Sequence, residues 1–242
     1  MFKHLFAPAI GRISWYTLVI LLIGVYRIHA QEWTFQAGTN VTTFSFQTSN
    51  GVPLSGIKPG SGESVGFQYH RKWVDTSALL LKSSPTAIYM NQHPSLAKLL
   101  SRFQWGLGIQ MNQFNAVGDA VNTVYSYQTN YVGITPSLQL TQVLYKGLSF
   151  QASGEIQINR MLQGNQLVNN RFVDLMQEEQ FNGIQTMLGY RAGIRQKITE
   201  NIQISLSLGK LASTGPSRSQ GTSLHMQPTS ILFGIILTST SK

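Results

Sequence analysis

The chain has 242 residues and a mean hydropathy near zero, yet Asp, Glu, Lys and Arg make up only 11% of it, well below the roughly 25% of an average soluble domain. Uncharged Gln, Asn, Ser, Thr and Gly stand where a water-facing surface would carry charge, and a single short apolar run replaces the several long ones of a helical membrane protein. The net charge of +9 is scattered, with no basic stripe or nucleic-acid motif, which speaks against a nucleic-acid partner, and the absence of cysteine removes any disulfide framework.

Residues 1–30 have the three parts of a secretion leader. Lys3, His4 and Arg12 give a basic start, residues 15–26 an apolar run, and Ala30 a small residue before a cut at Gln31. The run is too short to span a bilayer as a helix and ends at Arg27. Three of the 18 basic residues, Lys3, Arg12 and Arg27, belong to this segment, so part of the net charge leaves with it. The mature domain is expected to be 31–242.

After the leader, alternation with a period of two dominates, the mark of strands with two unlike faces. Strands are expected at about 33–46, 64–72, 103–115, 124–143, 148–160, 184–197, 202–211 and 230–239. In 104–112, Trp105, Leu107, Ile109 and Met111 oppose Gln104, Gly106, Gly108, Gln110 and Asn112. In 148–158, Phe150, Ala152, Ile156 and Ile158 oppose Gln151, Ser153, Glu155 and Gln157, and 202–208 repeats the pattern. A soluble sandwich also alternates. These strands, however, have the length needed to cross a bilayer with tilt. Their polar faces carry almost no charge, and Trp33, Phe35, Tyr69, Trp73, Phe103, Trp105, Tyr127, Tyr131 and Tyr145 lie toward strand ends, where interfacial girdles form.

The connections alternate in length. Lys146-Gly147 and Thr199-Glu200-Asn201 read as tight turns, whereas 161–183 and 212–229 read as long polar loops. That asymmetry is expected of the periplasmic and extracellular ends of an up-and-down barrel. Within 73–102, His93-Pro94-Ser95 and the Leu-rich stretch after it predict a short periplasmic helix near 92–101. Residues 78–81 and 86–90 are alternatively an extra strand pair, which makes ten strands instead of eight. The expected fold is therefore all-β: an antiparallel up-and-down transmembrane β-barrel.

With these strands in place, Tyr127-x-x-x-Tyr131-Val-Gly-Ile-Thr-Pro-Ser-Leu, the Lys146-Gly147 turn, the Leu-Ser-Phe-Gln-Ala-Ser-Gly strand and the Gly-Tyr-Arg-Ala-Gly-Ile-Arg strand at 189–195 carry a family likeness. The chain resembles small outer-membrane β-barrels of the OmpA/OmpX type, and more particularly the PorT-like porin family of the type IX secretion group. The resemblance covers about 103–239. It implies a barrel in the cell outer membrane, surrounded by lipid and lipopolysaccharide, acting in an envelope complex of secretion or assembly. The terminal Thr238-Ser-Thr-Ser-Lys departs from the terminal aromatic common in such barrels.

Candidate chemistry is sparse. His225 shares its predicted end with Asp119, Asp174, Glu178 and Glu179, a set that would suit a rim-sited hydrolase, but no nucleophile motif accompanies it. His70 has the parity of a lumen residue and His93 precedes a proline, so neither offers metal-ligand spacing. No enzyme, cofactor or metal is expected. Glu155, Arg191 and Arg195 have inward parity, and charges in a low-dielectric lumen demand partners. They are expected to form a structural ion pair plugging the barrel. The resulting function is a structural or accessory subunit with a protein partner, with a narrow channel as the alternative.

Overall fold

The computed structural model describes residues 31–47, 56–72, 95, 99–120, 123–169, 171–215, 217–219 and 222–239. The expected leader at 1–30, Trp73, His93 and the proposed extra strand pair lie outside them. Eight long strands form one ring: β1 (Gln31–Gln47), β2 (Ile57–Lys72), β3 (Phe103–Ala120), β4 (Thr123–Tyr145), β5 (Leu148–Val168), β7 (Gln185–Lys197), β8 (Ile202–Ser213) and β10 (Thr222–Ser239). Each pairs antiparallel with its sequence neighbour in the ring. The ring closes because β1 pairs with β10 along its whole length, from Gln31↔Ser239 to Gln47↔Ser223. Two short strands hang from it: β6 (Arg171–Asp174) pairs with β5, and β9 (Ser217–Ser219) with β10.

β2 pairs directly with β3, so the ring closes among the described residues. Eight is the ring count. Of the helix expected at 92–101, the described residues Ser95, Leu99 and Leu100 are helical.

The two tight turns are present. Lys146 and Gly147 both have positive φ, 26° and 85°, as a two-residue turn compatible with strand twist requires. At the next turn on that end, the Thr199 hydroxyl accepts from the amides of Asn201 and Ile202. Both chain ends of the ring lie on this side. The opposite end differs from expectation, because the strands there run several residues past their expected limits. Positions 161–168 and 222–229, read as loop from their polarity, are strand. Polar residues above the bilayer still pair through their backbones, and polarity alone does not end a ladder.

The outward face carries the apolar set on every strand. Phe35, Val65, Ile109, Ile134, Ile156, Leu188, Leu208 and Phe233, one from each ring strand, are 43–59% exposed. A belt of this kind around a closed sheet suits hydrocarbon and not water. Toward the end bearing the termini, Trp33, Phe67, Tyr69 and Trp105 make a continuous aromatic band, with Trp33–Tyr69 and Tyr69–Trp105 centroids 4.8 and 5.7 Å apart.

The belt makes a depth-dependent prediction. On β8 the outward apolar run is Ile202, Ile204, Leu206 and Leu208, so Ile204 and Leu206 flank its middle and Ile202 lies at its edge. Leu206→Arg should cost about 2–4 kcal/mol of barrel stability, and Ile202→Arg, at the edge, only about 0–1 kcal/mol. Urea unfolding in lipid vesicles measures both. Equal costs at the two depths would contradict a spanning barrel.

Candidate functional site

The lumen is where the sequence pattern concentrates polar chemistry, and it has two layers of different character. In the half nearer the termini, the inward parity of β1, β3, β4, β5 and β7 points Glu32, Gln36, Gln104, Gln139, Gln151, Glu155, Arg191 and Arg195 at one another, all of them buried or nearly so. Arg191 Nη2 donates to Glu155 Oε1 at 3.1 Å, with both side chains no more than 7% exposed. Gly189 stands opposite Glu155 across the β5–β7 ladder and Arg191 opposite Ser153, so the pair is a diagonal contact on adjacent strands. The other face of the same guanidinium crosses the barrel, where Nη1 donates to Gln36 Oε1 at 2.8 Å.

Arg195 makes a second clamp. Its Nε donates to Gln151 Oε1, and its Nη1 reaches across to Glu32 Oε2 at 2.7 Å. Gln104 Nε2 completes Glu32 from β3, and Gln139 Nε2 from β4 donates to Gln104 Oε1 at 2.8 Å. Toward the middle of the lumen a neutral ring continues the network. Ser64 Oγ donates to Asn112 Oδ1, Gln110 Nε2 donates to Ser64 Oγ, and Gln157 Nε2 donates to Gln110 Oε1, at 2.7–2.9 Å. The two arginines thus tie β7 to β1 on the far side of the barrel. A buried guanidinium held by a carboxylate and an amide has most of its donors occupied, the condition for tolerating its burial.

The other half of the lumen is apolar. Phe44, Phe46, Phe114, Tyr131, Met161, Met187, Leu211, Leu224 and Met226 point inward from seven strands and are at most 6% exposed. The segment after β6 folds into this mouth: Asp174 caps a 3-10 turn at Leu175–Gln177 by accepting from Met176 N at 2.8 Å. The short helix Glu179–Asn182 follows. Leu175 and Phe181 from this segment are 1% exposed, and the Phe181 ring stacks on Tyr127 at 5.8 Å. Tyr131 donates its hydroxyl to Phe181 O at 3.3 Å. An aromatic and methionine plug thus roofs the polar layer of the lumen.

The plug corrects two expectations. Tyr127 and Tyr131 are not girdle residues; they face inward with Thr129, Gly133 and Thr135, whose parity they share. The 161–183 segment is not merely a polar loop, since it delivers Leu175 and Phe181 to the core. Of the expected lumen charges, Arg191 meets Glu155 and Arg195 does not. Its acid is Glu32, which sequence reasoning overlooked although Glu32 has the parity of Thr34 and Gln36. Of the expected rim set, the side chains of Asp119 and Glu179 lie outside those described. His225 sits on the outward parity of β10 opposite Ser45, Asp174 is engaged as a cap, and among the described residues no acidic side chain pairs with His225. His70 lies buried in the lumen, and no group of three metal-ligating side chains occurs among the described residues.

The closed ring, the outward apolar belt and the filled interior together decide the architecture. It is that of a small transmembrane β-barrel. No protein-family model matches the chain, and no curated protein matches it. Among solved structures it is similar to Neisserial surface protein A, with TM-score 0.45 and 9% identity over 85% of this chain and 96% of that one. It is also similar to the outer membrane protein OprG from Pseudomonas aeruginosa, with TM-score 0.41 and 12% identity over 88% of this chain and 98% of that one. A third is the outer membrane protease OmpT from Escherichia coli, with TM-score 0.37 and 9% identity over 87% and 97%. The eight-strand closure rests on the chain's own pairing.

Proposed function

We propose that residues 31–242 form a non-conducting outer-membrane barrel that serves as a structural or accessory subunit of an envelope complex, delivered by a cleaved leader at 1–30. The observation that carries this reading is the doubly closed lumen. An ion-paired polar layer and an aromatic plug together fill a barrel that eight strands already make just wide enough for side chains. A protein that passes no bulk solute acts through its surfaces. Two are available: the strand extensions with β6 and β9 at one end, and the 73–102 connection at the other. The outward parity of His225 and the capping bond of Asp174 favour this over a hydrolase at the rim.

The reading is tested in two steps. The purified barrel in planar bilayers should give no discrete conductance steps, and gentle solubilisation of outer membranes should return it with a stoichiometric protein partner. Regular single-channel steps from the wild-type barrel would establish the narrow channel instead.

A further inference from the structure

A cavity of about 20 Å³ lies within the polar layer, lined among others by Thr34, Gln36, Gln68, His70, Arg191 and Arg195. Five of these six side chains have a polar atom with no hydrogen-bond partner in the protein: Thr34 Oγ1, Gln36 Nε2, Gln68 Nε2, His70 Nδ1 and Arg191 Nε. Every one of the five residues is at least nine-tenths buried. Buried polar atoms without partners are rare and call for an explanation each; five around one small space call for a common one. The amide orientation at Gln36 is fixed, because its Oε1 already accepts from Arg191 Nη1. Its unpartnered atom is therefore a donor.

Size and donor count identify the occupant. The volume admits a water or a monatomic ion. Gln36 Nε2, Gln68 Nε2 and Arg191 Nε can only donate, and Thr34 and His70 can donate as well. A single water accepts two hydrogen bonds and leaves one of the three obligate donors unpaired. A monatomic anion accepts from all of them. The electrostatics agree in sign: both guanidiniums line the cavity, whereas Glu32 and Glu155 are not among its lining residues and hold the arginines from other sides. The cavity wall is thus the cationic face of two ion pairs. We propose that the lumen binds one halide ion, chloride in the native setting, coordinated by Gln36 Nε2, Gln68 Nε2 and Arg191 Nε, with Thr34 and His70 as further donors. The ligands come from β1, β2 and β7, so the ion ties the closing strand of the ring to the far wall of the barrel.

Two measurements on the whole refolded barrel in detergent test this. When chloride replaces gluconate at constant ionic strength, the urea midpoint should rise along a saturating curve. Crystals soaked in bromide should show an anomalous peak within hydrogen-bonding reach of Gln36, Gln68 and Arg191. Gln68→Glu, which puts a carboxylate where an amide donated, should raise the half-saturating chloride concentration by roughly tenfold or more through like-charge repulsion. Should that variant not fold, the wild-type curve and the anomalous map decide alone. A chloride curve that coincides with the gluconate baseline, with no bromide peak in the cavity, would make the occupant a water and overturn the proposal.

Discussion

Phe114→Ala should destabilise the barrel by about 3–5 kcal/mol, the usual cost of removing a buried phenylalanine. The ring is 1% exposed and packs against Tyr131 at a centroid distance of 5.5 Å. It sits on β3 within the closed ring, and its backbone carbonyl accepts the Thr129 hydroxyl at 2.6 Å. Neighbours fixed on the hydrogen-bonded strands of a closed ring cannot collapse into the space, so the cavity term persists. Phe181→Ala removes a ring of the same size and burial but from the short helix Glu179–Asn182, which can leave the mouth without breaking the ring. Its loss should therefore appear as local opening more than as global unfolding. The expected contrast is a large drop in urea midpoint for Phe114→Ala, and a smaller drop with new protease cleavage between 169 and 184 for Phe181→Ala. Matching midpoint losses with no new cleavage would mean that the segment unfolds only with the ring.

Alternation made the ring legible in the sequence, because lipid outside and packed side chains inside impose opposite demands on successive residues. The same alternation already contained the plug. Phe114 has the parity of Gln110 and Asn112, and Tyr131 that of Thr135 and Gln139. A uniformly polar lumen, taken as the rule, hid them, and aromatic residues near strand ends were assigned to the girdle by distance from the turn. Parity was the stronger signal. Glu32 escaped for a related reason: it follows the expected cut at Gln31 immediately, and the strand was expected to start at 33. The docking of Leu175 and Phe181 was beyond reach of any periodicity, since a single 3-10 turn and one helical turn leave no repeating pattern. Pairing of Arg195 with Glu32 across the barrel depends on which strands face each other over the lumen, which local order does not specify.

Those two clamps are separable by double-mutant cycles. Glu155→Gln leaves Arg191 with amide acceptors only and no counter-charge, and should cost as much as about 3–5 kcal/mol. Arg191→Gln strands the carboxylate and should cost a similar amount. The double variant removes both charges and keeps two side chains able to hydrogen-bond, so it should be less destabilised than the sum of the two single variants. The coupling between Glu155 and Arg191 should then reach about 1–3 kcal/mol. Solvent screening does not erode this, because the side chains are 7% and 2% exposed. Glu32 and Arg195 should couple in the same sense but less strongly, since the Glu32 side chain is 12% exposed and keeps Gln104 as a partner. The crossed pair, Glu155 with Arg195, shares no hydrogen bond and should be additive to within about 0.5 kcal/mol. Urea unfolding of the four single variants and three doubles measures all of it. Additivity for Glu155 and Arg191 would deny the ion pair a role in holding β5 to β7. A lumen that conducted ions once the pair was neutralised would instead place the seal in the charged layer and not in the aromatic plug.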